Sequence, residues 1–155
     1  MMIKGELKLD IFNKNYIFLN ANLKNKEDAM DFIAGKASEL GISKDKKQTL
    51  EDLWGREKEF NTAIDDTLAI PHAKSLSINF PVVLVVKSKN SIDWGGENIK
   101  LIISFLTPKY NKENIHLTML SKISRKLIDD NFKAILNESN DIDVIYELIN
   151  DALNS

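Results

Sequence analysis

The sequence predicts an α/β fold in which a β-sheet lies between helices on both sides, and three observations lead there. Two continuous apolar runs rich in β-branched residues, 82–87 and 99–106, read as central buried strands. Segments with apolar residues at helical spacing precede and follow them, and such elements pack as a sheet with helices against its faces. The chain has 155 residues, 43% hydrophobic and 28% charged, without internal repeat or linker, so one domain spanning residues 1–155 is expected. A chain of that length buries roughly 68–70% of its unfolded surface and needs no disulfide or structural metal to fold.

Taken in order, residues 7–19 alternate weakly, with Leu7, Leu9 and Ile11 on one side and Ile17 and Leu19 later, which predicts one or two short strands. Asn25 is placed to cap a helix with Glu27 and Asp28 in its first turn and a stripe of Ala29, Phe32, Ile33, Ala37 and Leu40; Gly41 ends it. Ser43 is read as the cap of a second helix, carrying Leu50, Leu53 and Trp54 and ending near residues 55–57. Residues 60–64 and 67–70 read as a β-hairpin turned at Asp65-Asp66. Pro71 holds Ile70 extended and removes a ladder donor, so the chain is expected to leave the sheet at His72, placing that residue at a strand end. Residues 93–96, Asp-Trp-Gly-Gly, supply the turn between the two central strands. Asn111 is read as the cap of a helix running to about residue 128, with His116, Leu120, Ile123 and Leu127 on one face. Residues 132–136 read as a further helical turn, and Asn140 as the cap of a last helix with Val144, Ile145, Leu148, Ile149 and Leu153 inward. These patterns leave the strand order open.

Composition removes several function classes. With no Cys, disulfide frameworks, thiolate zinc sites, thiol nucleophiles and redox CxxC chemistry are all excluded, and the cytoplasm is the expected compartment. After Met1-Met2-Ile3 the first ten residues carry charges at Lys4, Glu6, Lys8 and Asp10, unlike the long apolar core of a secretion signal. No apolar stretch approaches the roughly 20 residues of a membrane-spanning helix, so no direct membrane insertion is expected. A net charge of −2 supplies no pull toward nucleic acid. Dinucleotide, P-loop, HExxH, GxSxG and EF-hand signatures are missing, and with two histidines a zinc or iron site would need several carboxylates around them, which no Asp or Glu spacing suggests; neither cofactor nor metal is expected.

Three residues remain as candidates for chemistry, each with two readings. His72 follows an apolar strand and a proline, so a partner can reach it, and neutral imidazole offers one nitrogen lone pair as a phosphoryl acceptor. Such transfer needs alignment and donors for the equatorial oxygens rather than a metal or a P-loop. Alternatively, His72 satisfies a backbone carbonyl in a turn. His116 is either an inward helix residue with its nitrogens paired, or a charge stabiliser presenting a ring N–H to an anion near a helix start. Arg56 is either a dipole-matched surface residue at a helix C-terminus or a guanidinium fork for phosphate.

Arg56-Glu57 after the second helix, Thr62, the run Ala69-Ile70-Pro71-His72 with Lys74, and His116 opening a helix after an apolar strand are together specific. In these residues, and over nearly its whole length, the chain resembles the IIA component of the bacterial sugar phosphotransferase system, of the fructose/mannitol type, which includes nitrogen-regulatory IIA proteins. The resemblance implies a mixed sheet flanked by helices. It implies that His72 accepts phosphate from the phosphohistidine of the carrier HPr and passes it to a cysteine of a IIB component, with His116 and Arg56 beside the phosphoryl group. It also implies an alternative, a regulatory protein whose phosphorylation state controls partner binding. A third reading, an interaction domain without phosphotransfer, stands apart from both. Where many relatives carry glycines before the active histidine, this chain has Ala63, Asp65 and Asp66, and the two carboxylates are expected to point away from the site. The run Pro71-His72-Ala73-Lys74 is closer to sugar-transporting members than to regulatory ones, which tend to have Gly after the histidine. Leu76, Ile78 and Phe80 are either an apolar docking rim or the start of the next strand.

Overall fold

The computed structural model describes residues 11–111 and 114–155. Leu7 and Leu9, part of the predicted first strand, lie outside the described residues. After a 3₁₀ turn at Lys14–Tyr16, strand β1 covers Ile17–Ala21. Helices α1 (Lys26–Glu39) and α2 (Lys46–Glu59) follow, then β2 (Leu68–Ala69), β3 (His72–Ser75), β4 (Val82–Trp94) and β5 (Glu97–Pro108). The chain closes with α3 (Ile115–Lys126), α4 (Asp130–Glu138) and α5 (Ile142–Leu153). The sheet is mixed and flanked by helices on both sides, as expected. Its path runs β1-β4-β5-β2, with β3 also on β5. The pair β4 and β5 is antiparallel, whereas β1 on β4 and β2 and β3 on β5 are parallel.

Helix α1 begins where its sequence says: Asn25 Oδ1 accepts the Asp28 amide at 2.8 Å, and Gly41, at φ +76°, turns the chain out beyond its end. Helix α2 starts later and ends later than predicted. Its cap is Asp45, whose carboxylate accepts the Gln48 amide, because the Ser43 hydroxyl is taken by Thr49 Oγ1 at 2.6 Å. The predicted hairpin over 60–70 is reduced to one antiparallel bridge, Ala63 to Ala69. Most of residues 60–67 is spent on side-chain turns such as Asp65 to Thr67, so no full ladder forms.

Contrary to expectation, the chain does not leave the sheet at His72. Leu68 pairs with Leu101 and His72 with Phe105, so β2 and β3 keep one register along β5 and Pro71 only interrupts it. Pro71 lacks a donor but keeps its carbonyl, which accepts the Phe105 amide at 3.3 Å. His72 therefore opens a strand rather than ending one.

Strands β4 and β5 run longer than their apolar cores and meet at a two-residue turn, Gly95-Gly96, with φ +65° and +103°. Positive φ at both positions favours glycine and gives the right-handed twist a tight hairpin requires. Asp93 Oδ1 accepts the Gly96 amide at 2.8 Å. The hairpin supplies the centre of the core, where Leu84, Ile99, Leu101, Ile102 and Phe105 are fully buried. Each such side chain contributes roughly 1.5–3 kcal/mol of burial.

Helix α5 packs on α3 and α4, while α1 and α2 pack together and reach β4 and β3. The start of α3 sets the position of His116. Asn111 does serve the helix, through Oδ1 to the Ile115 amide at 2.9 Å, but helical geometry begins only after Asn114, which sits in the left-handed region at φ +50°. His116 is thus the second helical residue. The last helix is capped by Asp141 rather than Asn140, through the Asp143 amide.

Candidate active site

Three elements converge where β3 begins. Arg56, in the last turn of α2, His72 on β3, and His116 at the start of α3 border one open cleft of about 630 Å³. Asp52, Glu59 and Lys74 complete its charged lining. Asp52, Arg56 and Glu59 are four and three residues apart, so one face of α2 supplies all three; that spacing is visible in the sequence.

His72 is held at both ring nitrogens. Arg56 Nε–H donates to Nε2 at 3.0 Å, and Nδ1 lies 2.8 Å from the Ile70 carbonyl. A carbonyl only accepts, so Nδ1 carries the proton and the Nε2 lone pair faces the guanidinium. The Arg56 fork is itself fixed, since Nη1 donates to the Phe60 carbonyl at 3.0 Å. His72 is only 7% exposed, yet it forms part of the cleft wall. Burial lowers its pKa and the Arg56 charge adds to this, against the Ile70 hydrogen bond, which favours the charged ring.

The His116 ring lies 5.2 Å from that of His72, centroid to centroid, tilted by 50°. Its Nδ1 meets the Thr107 hydroxyl at 3.1 Å. Burial first, then the charge that His72 carries when protonated and the charges of Lys74 and Arg56, push its pKa down to about 4. Both imidazoles are therefore neutral near pH 7. Asp65 turns to Lys133, 2.9 Å away, and to Thr67; neither it nor Asp66 lines the cleft.

A supporting network went unassigned in the sequence. Glu57, next to Arg56, accepts from the Thr62 amide at 2.8 Å and hydroxyl at 2.7 Å, from Trp94 Nε1 at 3.1 Å, and pairs with Lys26 at 3.0 Å. Burial alone would raise the Glu57 pKa, but the Thr62 bonds and the Lys26 ammonium outweigh it and hold the carboxyl below its usual range. No spacing pattern links residues 26, 57, 62 and 94; only the fold brings them together. Among the described residues, no cluster of three or more His, Asp or Glu is placed to hold a metal ion.

The family model described as phosphoenolpyruvate-dependent sugar phosphotransferase system, EIIA 2, matches residues 10–152. The chain belongs to this EIIA family. A multiphosphoryl transfer protein of Shigella flexneri is 30% identical over 135 residues, which is 86% of this chain and 16% of that protein. The fructose-specific EIIABC component of Bacillus subtilis is 28% identical over 144 residues, 91% of this chain and 22% of that protein. The chain thus spans about 16% of the length of the multiphosphoryl transfer proteins it matches. Among solved structures, the nitrogen regulatory protein IIA-Ntr of Neisseria meningitidis superposes with a TM-score of 0.81 at 20% identity, covering 90% of this chain and 97% of that one. The mannitol enzyme IIA of Escherichia coli, solved in complex with phosphorylated mannitol enzyme IIB, gives a TM-score of 0.76 at 18% identity, covering 90% and 97%. These likenesses establish the fold, and the EIIA family carries phosphoryl transfer as its role. No helix among the described residues is long and apolar enough to cross a membrane.

Proposed function

We infer that this EIIA domain, spanning residues 1–155, is a cytoplasmic phosphoryl carrier for sugar uptake, with His72 as acceptor, HPr as donor and a IIB component as recipient. One observation carries the reading: a neutral His72, its proton held on Nδ1 by the Ile70 carbonyl, turns Nε2 into a cleft shared with Arg56 and His116. As the donor's phosphohistidine docks, the guanidinium yields Nε2 and turns to the phosphoryl oxygens. The Nε2 lone pair forms the new N–P bond while the donor's N–P bond breaks, its electron pair returning to the donor imidazole. Positive charge left on the His72 ring is shared with the Ile70 carbonyl through Nδ1–H. Arg56 and His116 offset the negative charge on the equatorial oxygens. In the second half-reaction the His72 N–P bond breaks as a cysteine thiolate of the IIB partner forms an S–P bond. The Escherichia coli mannitol enzyme IIA was solved with its phosphorylated IIB, and the sequence relatives named above include a sugar-specific EIIABC protein; both support a IIB recipient.

Labelling with radioactive phosphoenolpyruvate, enzyme I and HPr tests the assignment. Wild-type protein should take up one acid-labile phosphoryl group, whereas His72→Gln and His72→Ala should take up none while keeping their circular dichroism. Label retained in either variant would overturn the role given to His72. His116→Gln should still fold and should slow onward transfer; normal transfer with a lowered Tm would return His116 to a purely structural role.

A further inference from the structure

Thr107 lies on β5, paired across the sheet with Lys74, and is fully buried behind the cleft rather than lining it. Its hydroxyl stands 3.1 Å from His116 Nδ1, and among the described residues it has no other hydrogen-bond partner. A bond between a hydroxyl and a neutral imidazole can run either way. If the ring donated, the buried hydroxyl hydrogen would be left without an acceptor, and buried donors are rarely orphaned. If the hydroxyl donates, its hydrogen is satisfied and Nδ1 is bare, so the single ring proton sits on Nε2. The two directions also differ at the cleft. A bare His116 Nε2 would turn a lone pair toward incoming oxygens, beside a His72 whose own Nε2 is bare. A protonated Nε2 offers a donor there.

We propose that Thr107 is a positioning residue: its hydroxyl donates to His116 Nδ1 and fixes the His116 proton on Nε2, where it can meet a phosphoryl oxygen. The two histidines of the cleft then hold opposite tautomers. His72 keeps its proton on Nδ1 for the Ile70 carbonyl and leaves Nε2 to attack, while His116 keeps its proton on Nε2 to donate. The bond direction stands on the structure alone, and its use in transfer rests on the carrier reading above.

Long-range 1H–15N spectra of protein labelled at histidine nitrogen, taken near pH 7, read both tautomers directly. The expected wild-type spectrum has His116 protonated at Nε2 and His72 at Nδ1. In Thr107→Val, His116 should move to a mixture of tautomers while His72 keeps its own, and transfer through His72 should slow about tenfold, the loss of roughly one ordinary hydrogen bond. Thr107→Ser, which keeps the hydroxyl, should restore both. A wild-type His116 protonated at Nδ1, or a Thr107→Val protein with unchanged tautomer and rate, would overturn the proposal. Should Thr107→Val fail to fold, the wild-type spectrum and Thr107→Ser still decide it. A wild-type protein that takes no label at His72 would overturn the carrier reading instead, and the spectrum would still tell where Thr107 places the proton.

Discussion

An imidazole shielded from water and surrounded by a guanidinium, an ammonium and a second imidazole gives up its proton more readily than one in solution. For His116 that environment lowers the pKa to about 4, against about 6.5 for an unperturbed ring. The unfolded chain then binds the proton more tightly than the folded one, so stability is complete above about pH 6.5 and declines as pH falls toward 4. Between pH 7.5 and 4.5 the wild-type protein should lose about 2 kcal/mol more unfolding free energy than His116→Gln, measured in urea at both pH values. Equal losses would mean that the ring is solvated. Arg56, His72 and His116 could be singled out in the sequence as candidates, each with a structural alternative, and the fold brings all three to one cleft. The protonation of the two histidines was not legible there, because it depends on the Ile70 carbonyl and the Thr107 hydroxyl, which meet the two rings only after folding.

At the scale of elements, α2 delivers Arg56 and is secured one residue later by Glu57. Removing that carboxylate would leave the Lys26 ammonium, the Trp94 indole N–H and the Thr62 amide without their acceptor at a site where Glu57 is 5% exposed. Breaking a buried ion pair from one side costs about 3–5 kcal/mol. Glu57→Ala should therefore lose about that much in denaturant unfolding, and Glu57→Gln, keeping one acceptor oxygen, clearly less; a loss near zero would show that water reaches the network. Lys87 plays a comparable role on β4. Its buried ammonium closes the end of α4 on the Leu136 and Asn137 carbonyls at 2.9 and 2.8 Å and on Ser139. The helices were readable from their stripes, and their starts less so. Asn25 is a cap in the structure, whereas Ser43 and Asn140 yield to Asp45 and Asp141, since tertiary hydroxyl bonding claims the first and local geometry favours the neighbouring residue in the second. The expected hairpin over 60–70 is shortened for a similar reason: it keeps the Ala63–Ala69 bridge and the backbone bonds from Ile64 to Leu68 and from Ile70 to Thr62, while side-chain turns such as Asp65 to Thr67 take up the rest.

For the molecule as a whole, the cleft lies open where β3 begins, and the apolar residues that follow β3 divide sharply. Leu76 is 60% exposed, whereas Ile78 is 4% exposed and bridges to Ser43. Only the first of these fits a docking rim; Ile78 belongs to the core and Phe80 packs partly against it. Leu76→Asp should slow transfer from phosphorylated HPr several-fold while leaving Tm within about 2 °C, since an exposed substitution costs little folding energy. An unchanged rate would remove Leu76 from the contact. The sandwich itself was predictable from two β-branched runs between helical stripes, but the strand order was not, because parallel neighbours such as β1 and β4 are paired across long stretches of chain that leave no local pattern.

The shared register of β2 and β3 on β5 has a consequence for length rather than composition. From Leu68 to His72 the chain spends as many residues as β5 does from Leu101 to Phe105, through a proline that gives no donor but still accepts the Phe105 amide. Substitutions within this stretch leave the step intact. A single deletion or insertion there would carry the imidazole to the opposite side of the pleat, away from Arg56 and His116, while every hydrophobic residue of the hairpin stayed in place. A homologue gaining or losing one residue between these points would be expected to fold and yet be chemically silent.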